Sequence, residues 1–201
     1  MTRIALIRHY PTEWNSQARL QGQTDVPLME SARETLGSLK MPAPWDRAKL
    51  IASPLLRAKD TACLLAEDRR IHEDVRLIEM SWGEWEGALA KDLLADPSSG
   101  FRPTHEWDAD TKAPGGESMR DAWERVRPAL ADIAAGGASA VVVTHKALMR
   151  VILWTACNWQ GTPEIKRGRM YPVTLRASGL PRDPEPPVRL EPRISLARSP
   201  S

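Results

Sequence analysis

The chain has 201 residues, which suits one domain and is enough to bury a hydrophobic core. Its 28 Lys and Arg residues stand against 26 Asp and Glu residues, leaving a formal charge of +2. This balance excludes a nucleic-acid binder that relies on overall charge, and it gives no reason to expect an anionic ligand. Four histidines are present, too far apart in sequence for a compact metal motif: His9, His72, His105 and His145.

Cysteine usage and hydropathy bear on the compartment. Cys63 and Cys157 both lie in apolar runs, so we expect two buried thiols. The absence of a Cys-x-x-Cys pair excludes zinc ribbons and thioredoxin-like chemistry. The apolar run at residues 4–7 is too short for a signal-peptide core, and no stretch approaches the roughly 18 apolar residues of a membrane span. We therefore expect a cytoplasmic protein without a membrane partner.

The first half of the chain alternates short apolar runs with helical patterns. Three runs predict strands: residues 3–8, 49–52 and 75–78. Residues 30–40 have apolar side chains at helical spacing. Ser53-Pro54 predicts a helix start, with serine as the N-cap and proline at the first helical position, and this helix continues through residue 70.

The second half continues the alternation after the less regular residues 81–116. Residues 117–135 predict a long helix that ends at the following glycine pair. Residues 140–144 form the clearest strand, which leads directly into a helix over residues 146–157. This alternation indicates an α/β protein, a three-layer α/β/α sandwich with a mostly parallel central sheet.

The C-terminal segment differs in composition from the rest of the chain. Residues 181–201 include six prolines. We expect a single domain over residues 1–180, followed by a proline-rich tail or edge segment with a short strand at residues 188–190.

Chemically active residue types follow several predicted strands. In a parallel α/β sheet, ligands bind beyond the carboxyl ends of the strands. The residues at those positions are Arg8, His9, Ser53, Arg57, Glu79 and His145. Two histidines, two arginines and a carboxylate would therefore converge on one edge of the sheet, and a hydrophobic core requires none of these types there.

This set of residues has a coherent phosphate chemistry. Arginine guanidinium groups match phosphate oxygens, and a histidine among them can attack phosphorus. A nearby carboxyl group can protonate the leaving oxygen and later activate water. Helix N-termini after the strands would add N–H donors, and fixed cations would stabilise charge without a metal ion.

Six segments in order resemble the histidine phosphatase superfamily, which has the phosphoglycerate mutase-like fold, over about residues 3–175. They are RHYPTEWN, RLQGQTDVPL, SPLLRAKDTA, IEMSWGEWEG, PGGES and VVVTHKALMR. One such motif would be weak evidence, because Arg-His dipeptides are common. Six in the right order make the resemblance specific.

The resemblance implies a role for each residue of the set. His9 would be the nucleophile and form a transient phosphohistidine. Arg8, Arg57 and His145 would hold the phosphoryl oxygens, and Glu79 would act first as general acid and then as base. Two further positions commonly line the phosphate site: Asn15 and Gln21. The resemblance implies neither a metal nor another cofactor.

Glu84 and Glu86 are rivals for the acid role because they lie close to Glu79 in sequence. We prefer Glu79, because the acid of the family precedes a Gly-x-x-x-Gly stretch, here residues 83–87.

The chain departs from the family pattern at two positions where glycine is usual. Glycine allows a positive φ or a close approach of the backbone, so Tyr10 must either tolerate that backbone conformation or change it. The ring of Tyr10 could also narrow the pocket. Lys146 could add a cation near the phosphate or point to solvent. These departures bear on catalytic efficiency more than on the fold.

Other notable side chains are expected to have ordinary structural roles. We expect solvent-facing positions for His72, His105, Arg69, Arg70, Arg167 and Arg169. Trp82 and Trp85 could line a substrate pocket, but tryptophans more often serve packing.

The resemblance favours a metal-independent phosphomonoesterase for a small phosphorylated metabolite, closest to the α-ribazole phosphatase-like and broad-specificity branches. A phosphoglycerate mutase is one alternative, although mutases usually have a longer insertion than residues 88–114 and a basic stretch where this chain has residues 80–82. A catalytically degenerate phosphate-binding homologue is another, although a pure binder has no need of the acid. The sequence does not determine the oligomeric state. In a homodimer, the proline-rich tail of one chain could pack on the other chain.

Overall fold

A central β-sheet organises the protein, of which the computed structural model describes residues 1–102, 106–157 and 164–193. The strands are β1 (Thr2–Arg8), β2 (Leu39–Lys40), β3 (Lys49–Ala52), β4 (Ile71–Glu73), β5 (Ala140–Thr144), β6 (Arg169–Leu175), β7 (Pro181–Arg182), β8 (Val188–Arg189) and β9 (Glu191–Pro192). The main sheet has the order β4-β3-β5-β1-β6-β7, with β8 also paired to β6, while β2 and β9 form a separate small sheet.

Helices cover both faces of this sheet. They are α1 (Glu13–Ser16), α2 (Glu30–Gly37), α3 (Leu56–Ala66), α4 (Ala90–Ala95), α5 (Met119–Ala135) and α6 (Lys146–Ala156). Short 3-10 turns occur at Trp45–Arg47, Val75–Leu77, Gly83–Trp85 and Pro97–Ser99. Within the described residues, no helix is both long enough and apolar enough to cross a membrane.

Alternation along the central strands builds the predicted three layers. Ile4 and Leu6 of β1 lie in a core shared with α5 and α6. Ala5 and Ile7 lie in a second core, shared with α2 and α3. Because successive side chains of a strand point to opposite faces, an unbroken apolar run is buried on both sides.

The sheet is parallel over β4, β3, β5 and β1, and antiparallel from β6 onwards. Four adjacent strands of the seven are therefore paired in parallel, and their carboxyl ends meet at one edge. The C-terminal segment extends the sheet, since β7 and β8 both pair with β6, and β8 lies within the predicted strand at residues 188–190. Residues 194–201 of the predicted tail lie outside the described residues.

The predicted strand at residues 75–78 is wrong. The strand is β4, which pairs with β3, and residues 75–77 form a 3-10 turn. Asp74 causes the change, because its carboxylate accepts a hydrogen bond from the backbone N–H of Arg76 at 2.9 Å and caps the turn. Glu79 therefore follows a turn and not a strand.

The predicted start and end of the third helix are also wrong. α3 begins at Leu56, whose N–H donates to the carboxylate of Asp25 at 2.7 Å, so an aspartate distant in sequence supplies the cap. Ser53 lies outside the helix. The helix ends at Ala66 because the backbone of Glu67 turns to a φ of 54°.

The expectation of two buried thiols is wrong as well. Cys63 is exposed and Cys157 is half-buried, and both are free. The apolar run around Cys63 does not mark a single face of α3. The buried positions of this helix are Arg57, Ala58, Thr61, Ala62, Leu65 and Ala66, and Cys63 falls outside that stripe.

Candidate active site

His9 and His145 lie side by side where the central strands end. The N–H of His9 donates to the carbonyl of Thr144 at 2.9 Å and continues the pairing of β1 with β5 by one residue. The two imidazole rings are buried, with centroids 5.2 Å apart and planes inclined at 54°. The strand register therefore confirms that the two histidines converge.

The hydrogen bond of His9 identifies its tautomer. Nδ1 lies 2.7 Å from the carbonyl oxygen of Tyr10, and a carbonyl oxygen can only accept, so Nδ1 carries the proton. The N–H of Tyr10 donates to the hydroxyl of Thr61 at 3.1 Å, which anchors the backbone at the residue after His9. Nε2 then keeps its lone pair, and it has no hydrogen-bond partner among the described residues.

Electrostatics keeps His9 neutral. Burial lowers the pKa of His9 well below its ordinary value, and the nearby Arg57 guanidinium lowers it further. Burial likewise lowers the pKa of His145, again with help from Arg57. Neutral imidazole is the form that can act as a nucleophile.

His145 is oriented by a residue of the neighbouring strand end. Its Nε2 lies 2.8 Å from the hydroxyl oxygen of Ser53, which follows β3. Nδ1 is buried without a hydrogen-bond partner. A buried polar atom without a partner costs free energy in a protein interior, and a ligand that supplies the missing hydrogen bond would remove that cost.

Arg57 occupies the first turn of α3 and is completely buried. Its guanidinium donates to the carbonyl oxygens of Gly22 at 2.5 Å and Thr24 at 2.9 Å, while its Nε has no partner. Glu86 braces the same loop, because its Oε1 accepts from the N–H groups of Gly22 at 3.1 Å and Thr24 at 2.6 Å.

Glu79 sits at the N-terminus of α6 and is almost completely buried. Its carboxylate accepts from the backbone N–H groups of Met80 at 2.9 Å, Ala147 at 3.1 Å and Leu148 at 3.0 Å. Burial raises the pKa of the Glu79 carboxyl, although these donors and Arg57 favour its charged form. Among its rivals, Glu84 is exposed and Glu86 is engaged with the loop, so Glu79 is the glutamate that fits an acid role.

Asn15 and Gln21 are joined in one polar network. The Oε1 of Gln21 accepts from the hydroxyl of Thr12 at 2.7 Å and from Nδ2 of Asn15 at 3.1 Å. The Nε2 of Gln21 is buried without a partner. Oδ1 of Asn15 accepts from the guanidinium of Arg167 at 2.7 Å.

These residues open onto a cavity of about 300 Å³. Its walls are formed by Arg8, His9, Asn15, Ala18, Arg19, Leu20, Gln21, Glu79, Trp82, Phe101, Trp107, Lys146, Ala147 and Arg150. The structure thus places five of the seven predicted site residues on the wall, whereas Arg57 and His145 are buried next to it. Within the described parts of the chain, no group of three or more His, Cys, Asp or Glu side chains is placed to hold a metal ion.

Several arginine, tryptophan and histidine side chains outside the predicted site can now be compared with their expected positions. Arg167 is not on a solvated face: burial and nearby Arg8 lower its pKa to about 10. Arg69 is also misplaced, because its guanidinium donates to four backbone carbonyls. Trp82 lines the cavity, as one alternative had it, but Trp85 is buried in the core. His105 lies outside the described residues, and His72 is exposed as expected.

The two departures from the glycine pattern have different outcomes. Tyr10 is buried in the core shared with α2 and α3 and is absent from the cavity wall, so it does not narrow the pocket. Tyr10 also does not adopt the positive φ that glycine would allow. Among the described non-glycine residues, positive φ occurs at Ala18, Glu67 and Asp183. Lys146 does line the cavity.

Comparison with known proteins decides the family. Residues 4–173 match the family model for the histidine phosphatase superfamily (branch 1). The chain belongs to this superfamily.

Relatives within the superfamily carry phosphatase names. The chain is 29% identical over 157 residues to phosphoserine phosphatase 1 of Hydrogenobacter thermophilus, covering 76% of this chain and 74% of that protein. It is 32% identical over 163 residues to glucosyl-3-phosphoglycerate phosphatase of Mycobacterium tuberculosis, covering 75% and 73%. The crystal structure of a Thermus thermophilus phosphoglycerate mutase superposes with a TM-score of 0.70 at 30% identity, covering 94% of this chain and 99% of that one. The fold is phosphoglycerate mutase-like, and this histidine phosphatase is a phosphomonoesterase.

Proposed function

We propose that this histidine phosphatase hydrolyses a small phosphorylated metabolite through a phosphohistidine on His9, without a metal ion. The hydrogen bond from Nδ1 of His9 to the carbonyl of Tyr10 carries the proposal, because it leaves a neutral nitrogen with a free lone pair on the wall of the cavity. The superfamily membership and the phosphatase names of the relatives support the same reaction class.

The reaction has two balanced steps. In the first, Nε2 of His9 forms a bond to phosphorus, the ester P–O bond breaks, and Glu79 gives its proton to the leaving oxygen. In the second, the Glu79 carboxylate takes a proton from water, the water oxygen bonds to phosphorus, and the P–N bond breaks. Inorganic phosphate leaves, and His9 and protonated Glu79 are restored.

Fixed positive charge would stabilise the transferred group. Arg8 lies on the cavity wall and Arg57 beside it, so two guanidinium groups would face a phosphoryl group of about two negative charges. His145 would hold a third phosphoryl oxygen through its unpartnered Nδ1. Asn15 and Gln21 would close the polar side of the site.

The substrate proposal is a small metabolite, as in an α-ribazole phosphatase-like or broad-specificity enzyme. The names of the relatives point to small phosphorylated compounds: phosphoserine for one and glucosyl-3-phosphoglycerate for another. A mutase is the second candidate, favoured by the structural likeness to the Thermus enzyme. Against it, residues 80–82 offer no basic side chain directly after Glu79.

The proposal extends to the setting of the enzyme. Both cysteines are free, as thiols of the reducing cytoplasm are, and the near-balanced charge supports the absence of a nucleic-acid partner. We place one domain over residues 1–180 with an edge segment after it, and a homodimer would use that segment as a contact.

Hydrolysis of 4-nitrophenyl phosphate in excess chelator tests the function. We expect turnover that is unchanged by the chelator, inhibited by vanadate and abolished in His9→Ala. His72→Ala is the matched control, because His72 is an exposed histidine on β4. Loss of activity on chelation, or near wild-type activity in His9→Ala, would contradict the proposal. A phosphomutase assay with 3-phosphoglycerate separates the second candidate.

A further inference from the structure

Two cations of α6 line the cavity with no acidic partner among the described residues. Lys146 and Arg150 are four residues apart, so they lie on the same face of the helix about one turn from each other. Within the described parts of the chain, neither takes part in an ion pair or a side-chain hydrogen bond. By contrast, the cavity-lining Arg19 is engaged, since its guanidinium donates to Gln17 at 2.8 Å and to the carbonyl of Gly87 at 2.7 Å.

These charges exceed what the phosphoryl group requires. In the proposed function, Arg8 and Arg57 already match the charge of a phosphate monoester. Glu79 is the one acid on the described cavity wall, and three backbone N–H groups occupy its carboxylate. Within the described residues, Lys146 and Arg150 therefore remain as positive charges with which no carboxylate pairs directly.

The surroundings of Lys146 also contain more positive than negative charge. Desolvation lowers the pKa of its ammonium group, and the nearby cations Arg8, Arg150 and Arg167 lower it further, while Glu164 opposes them. Like charges that crowd one wall repel each other until an anion binds among them.

An apolar wall adjoins the two cations. Trp82 and Trp107 pack edge to face with ring centroids 5.6 Å apart. Together with Ala147 and Arg150, they line both the main cavity and a smaller recess of about 30 Å³. A substrate crossing from His9 to Arg150 would therefore lay a carbon segment against this wall and meet a positive charge beyond it.

We propose that Lys146 and Arg150 form a second anion subsite, so that the preferred substrate is a phosphomonoester carrying a carboxylate on the same molecule. The proposal rests on the proposed function for the position of the phosphoryl group. Both cations of the subsite belong to the helix that follows His145.

Matched phosphonates test the subsite without requiring turnover. The probes are 3-phosphonopropanoate and 4-phosphonobutanoate, compared with propylphosphonate and butylphosphonate, which lack only the carboxylate. For the wild-type protein, calorimetry is expected to show about tenfold or tighter binding of at least one carboxylate compound over its alkyl partner. Equal affinity within both pairs, or no measurable binding of the carboxylate compounds, overturns the proposal.

Substitutions assign the effect to the two cations. Lys146→Met and Arg150→Met should each remove most of the carboxylate preference and leave alkylphosphonate affinity within about twofold, which also shows that the phosphate site is intact. Arg127→Met is the matched control, because it removes an exposed positive charge from α5. A preference that survives in the double variant overturns the proposal.

The outcomes separate this proposal from the proposed function. Turnover of 4-nitrophenyl phosphate without a carboxylate preference leaves the phosphatase and removes the subsite. A carboxylate preference without turnover of any phosphomonoester leaves the subsite and removes the phosphatase.

Discussion

The hydroxyl oxygen of Ser53 lies 2.8 Å from Nε2 of His145, across the boundary between two parallel strand ends. The N–H of Ser53 donates to the carbonyl of Val143 at 3.0 Å, so the pairing of β3 with β5 sets this contact. One ring nitrogen of His145 is thereby held, and the other is left buried and unpartnered.

Ser53→Ala should therefore weaken catalysis without destroying the fold. Loss of this one hydrogen bond frees the His145 ring, and we expect kcat/KM for 4-nitrophenyl phosphate to fall about tenfold. Inhibition by vanadate should weaken in parallel. Ser31→Ala, at an exposed site on α2, serves as the control. Unchanged kinetics in Ser53→Ala would show that His145 needs no such support.

Substitutions of Glu86 and Glu84 should have different effects on the affinity for phosphate. Glu86→Ala removes the acceptor that holds Gly22 and Thr24, whose carbonyls receive Arg57, so the affinity for phosphate should fall about tenfold. Glu84→Ala should change it less than twofold, because Glu84 is exposed. Inorganic phosphate inhibition measures both. Equal effects of the two substitutions would contradict the assigned role of Glu86.

The lowered pKa of His9 and the raised pKa of Glu79 should together set the pH profile of kcat/KM. His9 must be neutral, and its lowered pKa moves the acidic limb below its ordinary value of about 6.5. Glu79 must be protonated for the first step, and its raised pKa moves the alkaline limb above its ordinary value of about 4.3. We expect a bell-shaped profile of kcat/KM in the acidic range.

Glu79→Gln should remove the alkaline limb and slow alkyl phosphates far more than aryl phosphates, because poor leaving groups depend on the proton. An alkaline limb that persists in Glu79→Gln, but disappears in Glu84→Gln, would transfer the acid role to Glu84.

Arg69 should contribute to stability and not to catalysis. Its guanidinium donates to the carbonyls of Trp45, Ala48, Leu65 and Ala66, so it joins the end of α3 to the preceding 3-10 turn. Arg69→Ala leaves these acceptors without their donor, and we expect the free energy of unfolding to fall by about 2 kcal/mol in a urea titration.

Arg70→Ala is the paired control, because Arg70 is the exposed neighbour. It should change the free energy of unfolding by less than about 0.5 kcal/mol. Similar losses in both variants would show that the carbonyl contacts of Arg69 have no special weight.

The sequence could predict the parts of the fold that depend on short-range patterns. β1 and β5 are apolar on both faces because helices cover both faces of the sheet, and the charged or imidazole side chains directly after them stand out. This is why Arg8, His9 and His145 could be placed at one edge of the sheet from the sequence alone.

Elements that depend on distant partners could not be predicted in this way. β6 contains Pro172, which argues against a strand within a sheet, yet it pairs with β1 on one side and with β7 and β8 on the other. Arg167 joins the site through Asn15, 152 residues away in sequence, and no local pattern carries that contact. The turn at Asp74 and the cap from Asp25 likewise depend on hydrogen bonds between an aspartate side chain and a backbone N–H, which the apolar pattern does not reveal.

Trapping the covalent intermediate tests the central claim most directly. The enzyme is mixed with a phosphomonoester, quenched within milliseconds in alkali, where phosphohistidine is stable, and digested for mass spectrometry. We predict a phosphoryl group on the peptide that contains His9, and none in His9→Ala. A wild-type enzyme that turns over substrate while the phosphoryl group is on another residue, or on none, would contradict the assignment of His9 as the nucleophile.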